Sequence, residues 1–445
     1  MINKNKPNYM NIPFSPAKFP FFYGWVILGI GIIGMAMSIP GQTMGVSVFT
    51  DDLINVLGLT RVELSLAYLV GTIASSLILT PAGKLLDRKG ARNMGTIVTL
   101  LLGFQLILMS NIDKTLNKLL PGTATENFAV SFVLIAISFF LLRFLGQGML
   151  TLISRNMVMK WFDKYRGMAN AILGIFVSFI FSLAPRILNG MIEDDGWNGA
   201  WLRLGIIIAA AGGFLYWLLS RDNPEKCGLK PDGHLHIAKS KRRPAANPKK
   251  DFTLEQARKT LPFWAFGLTL CMNSLFVTAF TFHVVSIFES VGMTRADAVA
   301  IFLPASFISV GVNFSVSFIS DYIKLRYILM LHVAGLVVMM FFLTRLAPGF
   351  NLWMFIIGYG VAGGLFNISS SVVWPRYYGT EHLGAVTGMV MGFMVAGSAV
   401  GPYFFSIINK AQGSYSLASV VCLALTIILF GISIFVRRPV HPDMK

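Results

Sequence analysis

The organisation of this chain is decided by the stretch Gly83-Lys84-Leu85-Leu86-Asp87-Arg88-Lys89-Gly90-Ala91-Arg92. It is short and basic, it contains one acid and two glycines, and it lies between two apolar runs at 62–83 and 93–111. Each run can cross a hydrocarbon layer as a helix, which takes roughly 20 residues for about 30 Å. The stretch is therefore predicted to be a tight turn that joins two membrane-spanning helices.

The composition of the whole chain agrees with a membrane protein. Of its 445 residues, 55% are hydrophobic and 13% are charged, and the mean hydropathy is +0.67. A soluble protein carries about 25% charged residues. Because the apolar blocks are long and do not alternate with period two, they indicate helices, which satisfy their own backbone in lipid. Twelve spans, named span one to span twelve, are predicted at 22–49, 62–83, 93–111, 128–155, 167–190, 200–219, 262–288, 297–320, 326–346, 351–373, 384–409 and 415–436.

The basic residues are distributed unevenly between the loops. If the N-terminus, the C-terminus and the long loop after span six lie inside, the inner segments hold 28 of the 37 Lys and Arg residues and the outer loops hold seven. Positively charged loops stay on the cytoplasmic side. We therefore expect a multi-pass protein of the cell inner or plasma membrane with both termini cytoplasmic. The net charge of +17 is explained in this way and indicates no nucleic-acid partner.

The chain divides into two similar halves. The predicted domains are a six-helix bundle at 1–220, a cytoplasmic linker at 221–261 and a second six-helix bundle at 262–445. A glycine and a proline 18 residues apart recur in spans five and eleven, and an acid follows a small residue at spacing four after spans two and eight. These pairs are Gly167 with Pro185, Gly384 with Pro402, Gly83 with Asp87, and Ser317 with Asp321. Paired halves are typical of transporters with a substrate site at the repeat interface.

The stretch GKLLDRKGAR resembles the loop signature that follows the second span in the major facilitator superfamily. Within that superfamily, three further stretches resemble the monocarboxylate porter and oxalate:formate antiporter branch. They are FYGW at 22–25, RFLGQG at 143–148 and RDNPEKCGLKPDG at 221–233. The resemblance implies an all-α fold of twelve transmembrane helices in two pseudo-symmetric bundles. It also implies secondary transport by alternating access.

One departure from the branch affects the substrate prediction. Transporters of that branch typically carry an Arg in span eight that binds the substrate carboxylate, whereas span eight of this chain has no charge in AVAIFLPASFISVGVNFSVSFIS. Span eleven also has no Lys, unlike the oxalate exchanger. Carboxylate binding therefore requires another cation, or the substrate is not a simple carboxylate.

Arg143 is the strongest candidate for that cation. It lies near the middle of span four, where a charge costs about 2.5–3.5 kcal/mol or more and is expected to face the protein or a water-filled cavity. A guanidinium suits bidentate contact with a carboxylate. The alternative is that Arg143 ties span four to neighbouring carbonyls. One helical face is expected to carry Arg143, Gln147, Thr151 and Ser154.

Neutral polar residues complete the predicted substrate site. Polar stripes occur at helical spacing in spans one, eight and ten, and they line a cavity or join packed helices by hydrogen bonds. The residues selected from them are Gln42, Asn313, Asn367 and Tyr359. His283 is added as the one histidine of the second half expected to titrate in a cavity; a hydrogen-bonded bystander is the alternative.

The resemblance to the superfamily implies that the Asp87 loop is an inner gate, and the acidic residues of the chain lie outside the middles of the spans. All 20 lie in loops or at span ends, which weakens a mechanism based on a buried acid. Asp87 is predicted to cap the start of span eleven at Gly384 and to pair with Arg88 or Arg155. Arg92 completes this inner-gate set. Three scattered cysteines suggest neither disulfide nor metal, and no cofactor is expected.

These observations lead to one preferred function and one alternative. The preferred function is alternating-access transport of a small organic anion, a mono- or dicarboxylate, with protons or a counter-anion as coupling partners. The alternative is a facilitator or drug/metabolite carrier for a neutral or amphipathic compound, in which Arg143 is structural. An enzyme is not expected, because no titratable cluster lies inside the spans and the linker is too short for a soluble domain.

Overall fold

The computed structural model describes residues 11–119, 128–233, 248 and 250–442. Helices dominate this part of the chain, and no strand occurs in it. The chain forms two compact units, which we call the N-terminal and C-terminal units. The N-terminal unit comprises Met1–Asp163 and Phe176–Lys239, and the C-terminal unit comprises Lys164–Ile175 and Ser240–Lys445.

Span one is broken into short helices. Gly24–Met37 is followed by the 3-10 turn Ile39–Gly41, which contains Pro40, and then by Thr43–Val48 and Thr50–Leu57. A proline fixes its own φ and lacks an amide donor, so it is compatible with the start of a new turn and interrupts a continuous helix. The break exposes backbone carbonyls inside the unit, where they need partners.

Spans two to six make up the rest of the N-terminal helical set, with the inner part of span five belonging to the C-terminal unit. The capping box of Thr60 and Glu63 starts span two. Span four passes through a π-helical segment, and the helical run of spans five and six is interrupted at Gly196, which has φ 70° and ψ 169°. The bounds are Arg61–Lys89, Ala91–Met109, Ile112–Leu119, Phe128–Leu142, Arg143–Leu150, Thr151–Trp161, Arg166–Ile206, Ile207–Gly212 and Gly213–Leu219.

The helices of the C-terminal unit pack in pairs. Leu261–Glu289 lies along Leu383–Gln412, and Phe350–Ser371 lies along both Phe302–Ser320 and Leu325–Leu343. The core between them is aromatic and aliphatic. The remaining helices of this unit are Leu254–Ala257, Arg295–Ala300, Val373–Tyr378 and Ser416–Phe435.

The turn after span two requires glycine at position 90. Gly90 has φ +82°, a left-handed conformation that side chains rarely adopt. A Cβ at this position would also collide with the carboxylate of Asp222. The amide of Arg92 donates to Asp222 Oδ1 at 3.1 Å. The glycine of the signature therefore allows the segment after span six to approach the start of span three.

The first part of the predicted linker packs on the N-terminal unit. The indole of Trp161 donates to the carbonyl of Arg221 at 3.1 Å, and the amide of Asp232 donates to the carbonyl of Trp161, also at 3.1 Å. Residues 234–247 and 249 of this linker lie outside the described residues. The proposed bundle boundaries at 220 and 262 stay a prediction.

The twelve-helix prediction is confirmed. Within the described part of the chain, ten helical runs are long and apolar enough to span a membrane, and Gly24–Met37 is a shorter apolar helix. One of the ten, Arg166–Leu219, is 54 residues long and contains the break at Gly196, so it supplies two spans.

Candidate functional site

Arg143 lies at the centre of a polar cluster in the N-terminal unit. Its side chain is 1% exposed, and Nη1 donates to the carbonyl of Gly41 and to the hydroxyl of Thr43, both at 3.2 Å. The guanidinium also lies over the ring of Tyr68, 5.1 Å from its centroid. These three contacts are with neutral groups. The positive charge is thus held inside the unit by oxygen atoms and an aromatic face.

Thr43 connects this buried cation to the accessible surface of the unit. Its hydroxyl bonds both Arg143 and the hydroxyl of Tyr68, at 3.2 Å and 3.0 Å. Thr43 is exposed and Tyr68 is partly exposed. The guanidinium is therefore separated from accessible surface by a single hydroxyl group.

Two local features of the chain place the Arg143 side chain in this polar cluster. Gly41 ends the break in span one, so its carbonyl is available to accept from Arg143. Gly146 packs against Gly41, and a Cβ at Gly146 would lie 2.8 Å from the Cα of Gly41. Arg143 also begins the π-helical segment Arg143–Leu150, and π-bulges occur frequently at functional sites. This π-helical segment was not predicted from the sequence.

Gln42, Gln147 and Thr151 lie in the same region, and Gln42 bridges spans one and four. Its Nε2 donates to Ser38 Oγ at 3.1 Å and to Thr151 Oγ1 at 3.4 Å. The Oε1 atom of Gln147 is buried and has no hydrogen-bond partner among the described residues. Such an acceptor is available to a donor group on a ligand.

Ser154, the fourth residue of the predicted face, serves helix packing. Its hydroxyl donates to the Leu150 carbonyl at 2.6 Å and contacts the Tyr216 hydroxyl at 2.8 Å. Ser154 therefore joins span four to span six within the N-terminal unit.

The second-half candidates are held in different ways. Asn313 is 3% exposed, its Oδ1 accepts from Ser317 at 3.4 Å, and it packs against Gly174. Asn367 is partly buried. Tyr359 bonds Thr281 through its hydroxyl and packs among aromatic rings. Their roles in substrate binding stay a prediction.

His283 is bonded to its own unit. Its Nε2 lies 3.0 Å from the carbonyl of Pro402, and its Nδ1 lies 3.5 Å from the hydroxyl of Tyr415. A carbonyl only accepts, so Nε2 carries a proton and donates it to the carbonyl of Pro402. The contacts join span seven to span eleven and to the start of span twelve, and the substrate role of His283 stays a prediction.

His332 is a second histidine inside the C-terminal unit, and it was not predicted from the sequence. Its side chain is fully buried, with Nδ1 at 3.1 Å from Ser369 Oγ and Nε2 at 3.3 Å from Asn273 Oδ1. His332 was not among the predicted site residues, and the selection of His283 stays a prediction. The signal available in the sequence was a histidine in the middle of the otherwise apolar span nine.

One contact of the predicted gate residues is an ion pair of Asp87 that the sequence did not predict. Asp87 forms an ion pair with Lys160, whose Nζ lies 3.6 Å from Oδ1. Lys160 was not among the predicted partners, although it lies five residues after Arg155 at the inner end of span four. Arg88 is exposed, and Arg155 is partly buried. The gating role of this set stays a prediction.

Arg92 fastens several backbone segments together. Its side chain is fully buried, Nε donates to the Trp217 carbonyl at 2.6 Å, and Nη2 donates to the Ile12 carbonyl at 2.7 Å. These bonds connect the start of span three to the end of span six and to the N-terminal segment. The contacts favour a structural role in addition to the predicted place in the gate.

A buried ion pair in the C-terminal unit corresponds to the repeat seen in the sequence. Asp321 and Arg376 are each 3% exposed and form a close salt bridge. Asp321 Oδ1 also accepts from the amide of Gly167 at 3.1 Å. The carboxylate thus lies at the start of span five, where the helix dipole favours a negative charge. This is the geometry that the sequence analysis predicted for Asp87 and Gly384.

No group of three or more His, Cys, Asp or Glu side chains that could hold a metal lies within the described residues. Cys227, Cys271 and Cys422 are free cysteines.

The fold is that of a helical membrane protein with two related units. Comparison with known protein families identifies the family to which it belongs. The profile of the Major Facilitator Superfamily matches residues 25–363. The chain belongs to this superfamily. It is therefore a multi-pass integral membrane protein and a secondary transporter, not a member of an enzyme family. No curated protein sequence matches the chain.

Solved structures with the same fold cover nearly the whole chain. A bacterial homologue of the iron transporter ferroportin, in its outward-facing state, has a TM-score of 0.67 and 13% identity, with 92% of this chain and 98% of that chain covered. The E. coli fucose:proton symporter FucP has a TM-score of 0.58 and 13% identity, with 93% and 99% covered. The proton:xylose symporter XylE has a TM-score of 0.62 and 13% identity, with 92% and 94% covered. These likenesses establish the fold.

Proposed function

We propose that the chain carries a small organic anion, a mono- or dicarboxylate, across the membrane by alternating access. The observation that supports this most strongly is the position of Arg143: its buried guanidinium donates directly to the hydroxyl of the exposed Thr43 side chain. A fixed positive charge in an apolar unit favours an anion, and its planar donors match a carboxylate. The resemblance to the monocarboxylate porter and oxalate:formate antiporter branch agrees with this substrate class.

Other residues would complete recognition of the anion. The unpaired Oε1 atom of Gln147 is suited to accept from a hydroxyl group of the substrate. Gln42, which is already bonded to Thr151, would hold this side of the substrate site in position. From the second half, the proposed contributors are Asn313, Asn367, Tyr359 and His283.

A second candidate function follows from one of the Arg143 contacts. The bond from Nη1 to the Gly41 carbonyl satisfies the broken end of span one. If this were the main task of Arg143, the substrate would be neutral or amphipathic and the chain a facilitator or drug/metabolite carrier. Aromatic and methionine side chains, abundant in this sequence, would then provide most of the binding energy.

The test compares three variants of the full chain in liposomes. A panel of carboxylates is screened for thermal stabilisation, and each hit is measured by counterflow at two pH values. Arg143→Ala is expected to keep the fold and lose saturable uptake, and Arg143→Lys to retain little of it because an ammonium lacks the planar fork. Arg186→Ala, which removes the exposed arginine within span five, is the matched control and should transport normally.

Each result separates the two functions. Loss of carboxylate stabilisation in Arg143→Ala alone would support the anion carrier, and a pH-dependent rate would identify protons, rather than a counter-anion, as the coupling partner. Normal transport by Arg143→Lys, together with no response to any carboxylate, would favour the neutral substrate and a structural Arg143.

We also propose that the Asp87 loop is the inner gate, together with Arg88, Arg92 and Arg155. The ion pair of Asp87 with Lys160 and the buried pair of the second half support a role for these carboxylates in holding the inner ends of spans. Asp87→Asn should slow turnover several-fold while substrate still stabilises the protein. Lost binding with unchanged conformational exchange would contradict the proposal.

The N- and C-termini are proposed to be cytoplasmic.

A further inference from the structure

A basic cavity lies in the C-terminal unit, and none of the residues that line it belongs to the Arg143 cluster. Its volume is about 570 Å³, within the roughly 300–1,000 Å³ of small-molecule sites. Ten described residues line it, of which five are basic and none is acidic. The basic residues are Lys324, Arg326, Arg376, Arg437 and Arg438.

Three separate segments bring these cations together. The start of span nine provides its N-cap Lys324 and Arg326, the end of span ten provides Arg376, and the residues after span twelve provide the pair Arg437–Arg438. One carboxylate close by, Asp321, pairs with Arg376. The ten lining residues therefore carry five positive charges and no negative one, an excess that favours a multivalent anion.

The backbone adds to this positive potential. Span nine begins at Leu325, a residue that lines the cavity, and its N-cap Lys324 makes no side-chain capping bond. No acidic residue occurs in its first turn. The first amides of a helix carry partial positive charge and bind phosphate and other anions. Here the N-terminal end of a 19-residue helix lies at the cavity.

A side chain of the cavity also has an unused donor. Arg326 Nη2 donates to the hydroxyl of Tyr327 at 3.0 Å, and its guanidinium lies 4.8 Å from the centroid of that ring. Its Nε is a buried donor without a hydrogen-bond partner among the described residues. An acceptor oxygen on a bound anion would satisfy it.

The position of the cavity favours a ligand at the membrane surface. The cavity lies at the ends of spans that the charge distribution places inside. Tyr322 and Tyr327 are 39% and 46% exposed, and tyrosines are enriched at the depth of the lipid headgroups. Basic pockets between helices at the cytoplasmic side bind anionic headgroups.

We propose that this cavity binds a phosphate-bearing anion, either the headgroup of an anionic phospholipid or a soluble phosphomonoester. Arg437 and Arg438, both exposed, provide the outer contacts, while the start of span nine and Arg326 hold the phosphate oxygens. Because Arg376 also pairs with Asp321, a bound phosphate shares that guanidinium with the carboxylate at the start of span five.

The experiment uses the purified full chain and two kinds of probe. Delipidated protein is mixed with phosphatidylglycerol or phosphatidylcholine and analysed by native mass spectrometry, and glycerol 3-phosphate is titrated in a thermal-shift assay. The double variant Arg437→Gln/Arg438→Gln is compared with Arg258→Gln/Lys259→Gln. The second pair removes the same charge from exposed positions that do not line the cavity.

The wild-type chain should retain phosphatidylglycerol over phosphatidylcholine or be stabilised by glycerol 3-phosphate. The Arg437/Arg438 variant should weaken that binding at least about tenfold, because it removes two charged hydrogen bonds. Lipid retention identifies a headgroup as the source, and a response to glycerol 3-phosphate alone identifies a soluble ligand. Binding of neither probe, or equal loss in the control pair, overturns the proposal.

Discussion

At the scale of single residues, a buried histidine in span nine is held as a neutral group with a hydrogen-bond partner for each ring nitrogen. This histidine is His332. Because Asn273 Oδ1 only accepts, Nε2 of His332 carries the proton and Nδ1 accepts from Ser369. The neutral ring satisfies both of these neighbours, so spans seven, nine and ten meet at one histidine.

We expect His332→Ala to lower the free energy of unfolding by about 2–4 kcal/mol, because it leaves a cavity and two buried groups without their partner. His283→Ala is the control, since His283 is only partly buried. This variant should lose clearly less free energy of unfolding. Thermal denaturation of both variants in detergent measures the difference. Equal losses would show that His332 is not an organising residue.

Cys227 gives a prediction outside the membrane spans. Burial raises the pKa of its thiol to about 11, with nearby Arg221 acting in the opposite direction. The thiolate is the reactive form, so at pH 8 alkylation should be at least ~100-fold slower than at an ordinary thiol and should accelerate as the pH rises toward that pKa.

The alkylation rate is measured with iodoacetamide in a Cys271→Ser/Cys422→Ala background. The reference thiol is Glu225→Cys in a Cys227→Ser chain, since Glu225 is an exposed residue of the same turn. Similar rates at Cys227 and at the reference position would contradict the burial of Cys227.

At the scale of elements, span one and span four are interdependent. Span four approaches the break at Ile39–Gly41 closely at Gly146. A methyl group at Gly146 would lie 2.8 Å from Gly41 Cα and 3.1 Å from the Ser38 carbonyl. The same approach brings the Arg143 guanidinium to the Gly41 carbonyl.

Gly146→Ala should therefore destabilise the protein by about 1–3 kcal/mol through overpacking and reduce substrate affinity by displacing Arg143. Gly29→Ala is the matched control, because a Cβ at Gly29 meets nothing within 4 Å and alanine favours a helix. Unfolding temperature and saturable uptake are both measured. An unaffected Gly146→Ala protein would show that the two spans are not closely coupled.

Element positions were largely predictable, and their irregularities were not. Span two was predicted at 62–83 and is observed at Arg61–Lys89, because hydropathy locates the apolar part but not the polar turns that continue the helix. The π-helical segment Arg143–Leu150 has no local sequence signal, since it depends on what span four packs against.

At the scale of the whole molecule, the two halves of the sequence share a buried-carboxylate motif. The structure displays it in the C-terminal unit, where Asp321 joins Arg376 to the amide of Gly167. The sequence repeat identified Asp321 as the equivalent of Asp87 but did not identify Arg376 as its partner.

Asp321→Asn should cost about 3–5 kcal/mol of stability, because removing one member of a buried pair leaves the charge of Arg376 uncompensated. Adding Arg376→Gln should recover part of this loss. Asp195→Asn, which breaks the exposed pair with Arg203, should cost at most about 1 kcal/mol. A double variant as unstable as the sum of the single variants would show that the pair is not coupled.

The sequence by itself determined the membrane-spanning helices, the family resemblance and the cationic candidate in span four. These properties depend on local runs of about 20 apolar residues and on a short motif in which the local backbone conformation requires a glycine. Only the tertiary structure decided which polar groups meet: Arg143 with Thr43 and Tyr68, His332 with Asn273 and Ser369, and the five cations of the basic cavity. Such contacts depend on how each helix is rotated against its neighbours, and side-chain packing over the whole unit, not any single segment, sets that rotation.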